Sequence, residues 1–324
     1  MRLLVVTRAQ RARSLDTLYN GLASGFEQID IHKLDKDEVH DIRPYLRRTD
    51  FSAWDRVLFD IPLRRVGRAA ADLASIRGLV FYEEDACQEF VAQSKYRNRF
   101  ARDFAALPNA RLIVTSYYIR DYMCSKGIEA YCIPKAYDDA ALSDLARVRD
   151  IDLAFIGRVK SKVYNERRNL LLSLQDQFGL QMLRTETVDA YHDLLNRIRI
   201  FVSADIGFNE YMAKNFEAMA CGCLLLAKRH SSEAERLGFI DMYNVVHYDT
   251  LEEARERVQM LLANPELISR IAERGKELVN ECHRLSSRVA EFTAVLQMSP
   301  LSVPAPRAGR LGWILRSLVR AAGR

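Results

Sequence analysis

The chain has 324 residues, 49% of them apolar and 28% charged, enough material for two folded domains of ordinary size. No apolar run reaches the ~20 residues of a membrane-spanning helix. The net charge of +5 is local: residues 301–324 hold five arginines and no acid, while the rest balances at 43 basic and 43 acidic residues, which argues against a general nucleic-acid-binding surface.

The amino terminus, MRLLVVTRAQ, has too short an apolar run for a signal-peptide core and reads as a first strand, Leu3–Val6. Further strands are expected at Ile29–Ile31, Val57–Phe59, Leu79–Tyr82, Leu112–Thr115 and Tyr131–Ile133, with helical stretches such as Val66–Ile76 and Gln93–Phe104 between them. Strands alternating with helices imply βαβ units and a mainly parallel sheet. The pattern breaks at Pro134 and restarts with Leu153–Ile156, a helix from Asn165 to Gln175, and Gln181–Leu183. A helix over Thr187–Asn196 and the strand Ile198–Ser203 come next. The segment NEYMAKNFEAMACGCLLLA (209–227) predicts a helix over Met212–Ala220, stopped by Gly222, and a buried strand over Cys223–Ala227. Asn244–Tyr248 reads as the last strand. Thr250 and Glu253 form a capping box for a helix to about Leu262, and Pro265 opens a helix to about Asn280. The economical architecture is α/β, two doubly wound domains facing each other across a cleft: residues 1–138, residues 139–298, and a linker with a basic tail over 299–324.

Six scattered cysteines show no C-x-x-C pair and no histidine at metal-ligand spacing, so reduced, structural thiols and a cytoplasmic setting are expected. Asp35/Asp37 and Asp150/Asp152 match a D-x-D pattern, but neither pair follows a strand. Glycine-rich dinucleotide and P-loop signatures are missing, and His192, His230 and His247 stand isolated, each read as structural or surface. Glu217, in a tight strand–loop–helix–strand setting, is a carboxylate that needs a partner or a ligand.

The motifs DLAFIGRV (152–159), ERRNLLLSL (166–174), KNFEAMACGCLLLA (214–227), NVVHYDTLEEA (244–254) and ANPELISRIAERGKELV (263–279), with IPKAYDD at 133–139, resemble in order the donor domain of GT-B glycosyltransferases. More narrowly the order resembles the retaining family 4 and the spore-maturation-type enzymes. The resemblance implies a GT-B fold of two Rossmann-like domains, the first on the acceptor side and the second binding a nucleotide sugar, with no metal or other cofactor. It implies transfer of a sugar from a nucleotide donor, with retention; the basic tail over 301–324 points to a glycan or lipid-linked envelope acceptor. A degenerate binding module and a nucleotide-sugar epimerase are the alternatives.

Residue by residue, the resemblance puts Arg158 on the donor diphosphate, with Lys160 or Lys162 beside it and Lys214 and Asn215 near the start of the motif helix. Glu217 falls on the ribose. The family's sugar-contacting carboxylate lies eight positions earlier, where this chain has Asn209; Glu210 is one position late, and either residue could serve the sugar. Glu83, Glu84 and Asp85 follow a strand at the edge where α/β sheets bind ligands. Glu84 or Asp85 could act as base or hold the acceptor, and Asp85 could instead cap a helix over Gln88–Ala92. Thr7, Arg8 and Arg11 face the same edge and could touch phosphate or an anionic acceptor. In the tail, Leu311, Ile314, Leu315, Leu318 and Val319 recur at helical spacing against Arg316, Arg320 and Arg324, a basic amphipathic helix suited to the cytoplasmic face of an anionic membrane.

Overall fold

In the computed structural model, which describes residues 1–10, 14–66, 69–159, 165–204 and 208–302, the short apolar runs become strands, the central ones buried on both faces and the edge ones Gln28–Leu34 and Gln181–Leu183 partly exposed. β1 (Arg2–Arg8) shows why. Leu4 and Val6 enter one core cluster while Leu3 and Val5 enter another on the opposite face, so the strand needs no polar alternation. It is joined by β2 (Gln28–Leu34), β3 (Arg56–Phe59), β4 (Leu79–Glu83), β5 (Arg111–Val114) and β6 (Ala130–Cys132) in the order β2-β1-β3-β4-β5-β6. A second sheet orders β7 (Ile151–Ile156), β8 (Gln181–Leu183), β9 (Ile198–Ser203), β10 (Leu224–Lys228) and β11 (Val246–Tyr248) as β11-β10-β9-β7-β8. All neighbouring strands are parallel, as two doubly wound halves require.

Several local expectations change. The stretch Val66–Ile76 is not one helix; Leu63–Val66 and Ala70–Leu73 are the helical pieces. Of Gln93–Phe104 only Phe100–Phe104 is helical, because Asn98 takes a left-handed backbone (φ 57°) that ends any regular run before it. Thr250 accepts the Glu253 amide, but the Glu253 carboxylate takes the Asp249 amide, so the capping box is half formed. Gly222 has φ +79°, and a Cβ there would lie 2.5 Å from the Arg149 guanidinium, so glycine is required on both counts.

The last described helix, Arg288–Gln297, leaves the second half and packs on the first. Phe292, Val295 and Leu296 share a core cluster with Leu3, Val5 and Leu18, and Arg56 donates to the Leu296 and Met298 carbonyls at 2.6 Å. The amphipathic stretch expected over Leu311–Arg324 lies outside the described residues. Among the described residues, no helix is long and apolar enough to cross a membrane.

Candidate active site

In the second sheet the strand order reverses between β7 and β9, opening a crevice at their carboxyl ends. β7 delivers Gly157 and the exposed Arg158; β9 leads into the helix Ala213–Ala220. Lys214, in the first turn of that helix, donates to the Ile156 carbonyl at 2.7 Å and so reaches the end of β7. Lys160 and Lys162 lie outside the described residues. Arg167, not singled out by sequence, ties the crevice together. It donates to the Ala204 carbonyl at 3.0 Å and the Arg158 carbonyl at 3.3 Å, and its guanidinium lies 5.6 Å from the Phe155 ring and 5.8 Å from that of Phe208.

Two polar side chains of the same helix are buried. Asn215 is 1% exposed and neither atom of its amide has a hydrogen-bond partner. An unpaired buried polar group costs about 1–3 kcal/mol, so this one asks for a ligand. Glu217 is 5% exposed and accepts from the Tyr191 hydroxyl at 2.6 Å. Burial, and then the Glu217 charge beside it, hold the Tyr191 phenol well above its ordinary range, so Tyr191 remains a donor aimed at that carboxylate.

Glu210 faces the first half, with its Oε2 buried and unpaired. It is fully buried, ion-paired with Lys135 and accepting from Thr115 at 3.0 Å, and Lys135 also donates to the Glu84 carbonyl at 3.2 Å. The tight turn at Asn209 (φ 51°) precedes this pair, and the Glu210 carboxylate meets residues of the first half instead of opening to the crevice. A second buried carboxylate, Glu233, crosses in parallel and accepts from Ser116 at 3.0 Å and the Tyr118 amide at 2.6 Å, at the start of the helix Tyr117–Ser125.

At the carboxyl edge of the first sheet, the structure separates three neighbouring acids. Glu83 is buried and accepts the Leu63 and Asp85 amides at 2.6 and 2.8 Å. Glu84 is half-buried and accepts from the Tyr82 hydroxyl at 3.0 Å. Asp85 caps nothing; its carboxylate pairs with Arg64, and a short 3-10 turn, Ala86–Glu89, replaces the expected helix. Thr7 is likewise committed: its hydroxyl donates to the buried Asp60 at 2.5 Å, beside Tyr19 at 2.6 Å. Arg8 remains at the edge with its Nε buried and unpaired, and Arg11 lies outside the described residues. The D-x-D pairs are occupied as well. Asp35 caps the helix Lys36–His40, Asp150 pairs with Arg197 and Asp152 with Arg199. His247 is buried against Tyr211 at 2.8 Å and pushed down to about 4 by burial, so it sits neutral inside the domain.

Burial, and then the nearby Asp85 charge, push Glu83 up to about 7. A carboxyl with a raised folded pKa binds its proton more tightly in the fold than in the unfolded chain. Stability is therefore expected to fall as pH rises from about 4.5 to about 7. Glu83→Gln should flatten that part of a melting-temperature profile by on the order of 5 °C, read by calorimetry across the window.

A cavity of about 960 Å³ lined by Arg47, Trp54, Arg56 and Arg77 sits at the amino edge of the first sheet, near Met1 and Asp55, remote from these residues. The crevice at the reversed strand order, with its buried Asn215 and Glu217, is the better candidate because ligands in such sheets bind at the carboxyl edge.

Residues 140–294 match the family model described as glycosyl transferase-like. No curated protein matches the sequence. Among solved structures the chain resembles a sucrose-phosphate synthase from Thermosynechococcus elongatus (TM-score 0.63, 12% identity, 99% of each chain covered). It also resembles Anabaena HepE in complex with UDP (TM-score 0.64, 10% identity, 91% of this chain and 99% of that one). A DNA-modifying β-glucosyltransferase studied with and without uridine diphosphoglucose is similar too (TM-score 0.61, 12% identity, 92% and 100%). At these identities the structures show the fold, which is GT-B, and the glycosyl transferase-like family model covers a little under half of the chain, within its second half.

Proposed function

We propose that this glycosyltransferase of the GT-B fold takes its sugar from a nucleotide-diphosphate donor of the UDP type, seated in the crevice between β7 and β9. The observation that carries the reading is the pair of buried polar groups on one helix: the Glu217 carboxylate oriented by Tyr191, and the Asn215 amide with no partner. Glu217 would accept the ribose hydroxyls. Asn215, Lys214, Arg158 and the amide-rich start of the helix Ala213–Ala220 would meet the diphosphate. In the transfer the bond from sugar C1 to the diphosphate oxygen breaks, a bond to the acceptor oxygen forms, and the acceptor's proton must leave. The cationic groups at the crevice would take up the leaving diphosphate's charge, so that no metal ion is needed. Retention of configuration rests on the order of the second-half motifs.

On the acceptor side, the base or acceptor-holding role falls to Glu84, half-buried at the carboxyl edge of the first sheet beside the Tyr82 hydroxyl. Asn209, half-buried at the turn before Glu210, is the remaining candidate for the sugar hydroxyls. Titration with UDP, GDP and ADP, then turnover of the matching sugar donors in excess EDTA, tests the reading. UDP binding with EDTA-resistant transfer supports it, and failure of all three nucleotides to bind would overturn it.

The tail supports a lipid-linked envelope acceptor met at the cytoplasmic membrane face, through its excess of arginine over acid. Removing residues 301–324 should move the protein from the membrane fraction to the supernatant while leaving UDP affinity unchanged.

A further inference from the structure

The carboxyl edge of the first sheet carries a second feature that the donor site does not use. From Lys95 to Arg102 the chain reads KYRNRFAR, four cations with no acid among them. The loop folds so that three cations gather on one ring: the Lys95 ammonium lies 5.1 Å, and the Arg64 and Arg99 guanidinium carbons 5.7 and 6.0 Å, from the centre of the half-buried Tyr96 ring. The left-handed Asn98, whose amide is held by the Glu89 carbonyl at 3.1 Å, turns the loop between Arg97 and Arg99. The helices Leu63–Val66 and Phe100–Phe104 pack against each other, joining Arg64 and Arg65 to the same lip.

Acids nearby neutralise only part of it, through Arg64, Arg99 and Arg102. Asp85 is taken by Arg64, Asp103 by Arg99 and Arg102, and the buried Glu89 by the Phe100 amide and the Tyr122 hydroxyl. Glu83 is buried beneath the Leu63 amide. Among the described residues, Lys95, Arg97 and Arg65 form no ion pair. Like charges held this close repel, and an anion between them removes the cost.

We propose that this lip binds a phosphate or diphosphate group carried by the acceptor, with Lys95, Arg97 and Arg99 as its main contacts. The proposal rests on reading the first half as the acceptor side. A compact patch on a body whose residues 1–300 balance at 43 basic and 43 acidic, patch included, fits one or two phosphates. An extended polyanion such as nucleic acid would call for a longer basic stripe with several stacking rings.

The test uses the full chain with UDP present in excess, titrated by calorimetry with inorganic pyrophosphate, and by flotation with phosphatidylcholine vesicles with and without phosphatidic acid. Pyrophosphate binding that weakens about tenfold or more in Lys95→Ala/Arg97→Ala/Arg99→Ala, with UDP affinity unchanged, is the expected result. Vesicle binding lost in the same variant but kept after removal of 301–324 would identify a lipid-borne phosphate; pyrophosphate binding without it, a soluble one. Pyrophosphate affinity equal in wild type and triple variant would overturn the proposal. So would a single-stranded oligonucleotide that binds more tightly than pyrophosphate and depends on the same three residues. Failure of UDP to bind would strike the donor reading alone, since the lip is read through pyrophosphate.

Discussion

Glu217→Gln is expected to weaken donor binding by about a hundredfold, close to 3 kcal/mol, as higher KM and higher Kd for the nucleotide alone. The size follows from the site. Glu217 is almost wholly buried, so its bonds to ribose hydroxyls would be charge-assisted and shielded from water, each contributing about 1.5–3 kcal/mol. Gln keeps the volume but loses the charge and one acceptor. Tyr191→Phe separates orientation from contact: the ribose-facing carboxylate stays, and only the 2.6 Å bond that aims it is lost. A KM rise of roughly fivefold with kcat unchanged is expected there, about the net value of one hydrogen bond. Wild-type nucleotide affinity in Glu217→Gln, measured by calorimetry, would remove the ribose role.

How much of this was legible in the sequence depends on range. The strands could be read from their short apolar runs, unbroken where a central strand is buried on both faces; Ile198–Ser203, despite its exposed Arg199, and the partly exposed edge strand Gln181–Leu183 match to the residue. The helix holding Glu217 could be read from its glycine stop. The side chains that complete the site could not. Tyr191 and Glu217 are 26 residues apart and meet because the helices before and after β9, Val188–Leu195 and Ala213–Ala220, bring them together. In Glu83-Glu84-Asp85 nothing in composition distinguishes the acids. Glu83 is buried as the last residue of β4, paired with Val114 of β5, whereas Glu84 lies just past the strand and is half-open. The first half was least legible because its connections are short turns, such as the one at Asn98, whose geometry is set by tertiary contacts.

A second pair hidden by sequence distance carries the largest stability effect expected here. Lys135 and Glu210 are 75 residues apart, 6% and 0% exposed, and they join the two halves. Removing one partner leaves a buried charge with no counter-ion, at about 3–5 kcal/mol, whereas replacing both with apolar residues is often close to neutral. Lys135→Met should therefore lower the melting temperature by roughly 10 °C, and Lys135→Met/Glu210→Met should recover most of that loss. A double variant no more stable than Lys135→Met would mean that the bonds to Thr115 and the Glu84 carbonyl, not the charge pair, hold the junction. Activity in the double variant then decides what Glu210 is for. If turnover returns with stability, the carboxylate is an anchor that sets the two halves, and with them Glu84 and the donor crevice, in register. If stability and nucleotide affinity return while turnover does not, one of the two charged groups takes part in the reaction; were it Glu210, it must leave Lys135 and reach the sugar. The shifted position of this acid would then be compensated by movement of the junction, since Glu210 has no exposed surface from which to act while the pair is closed.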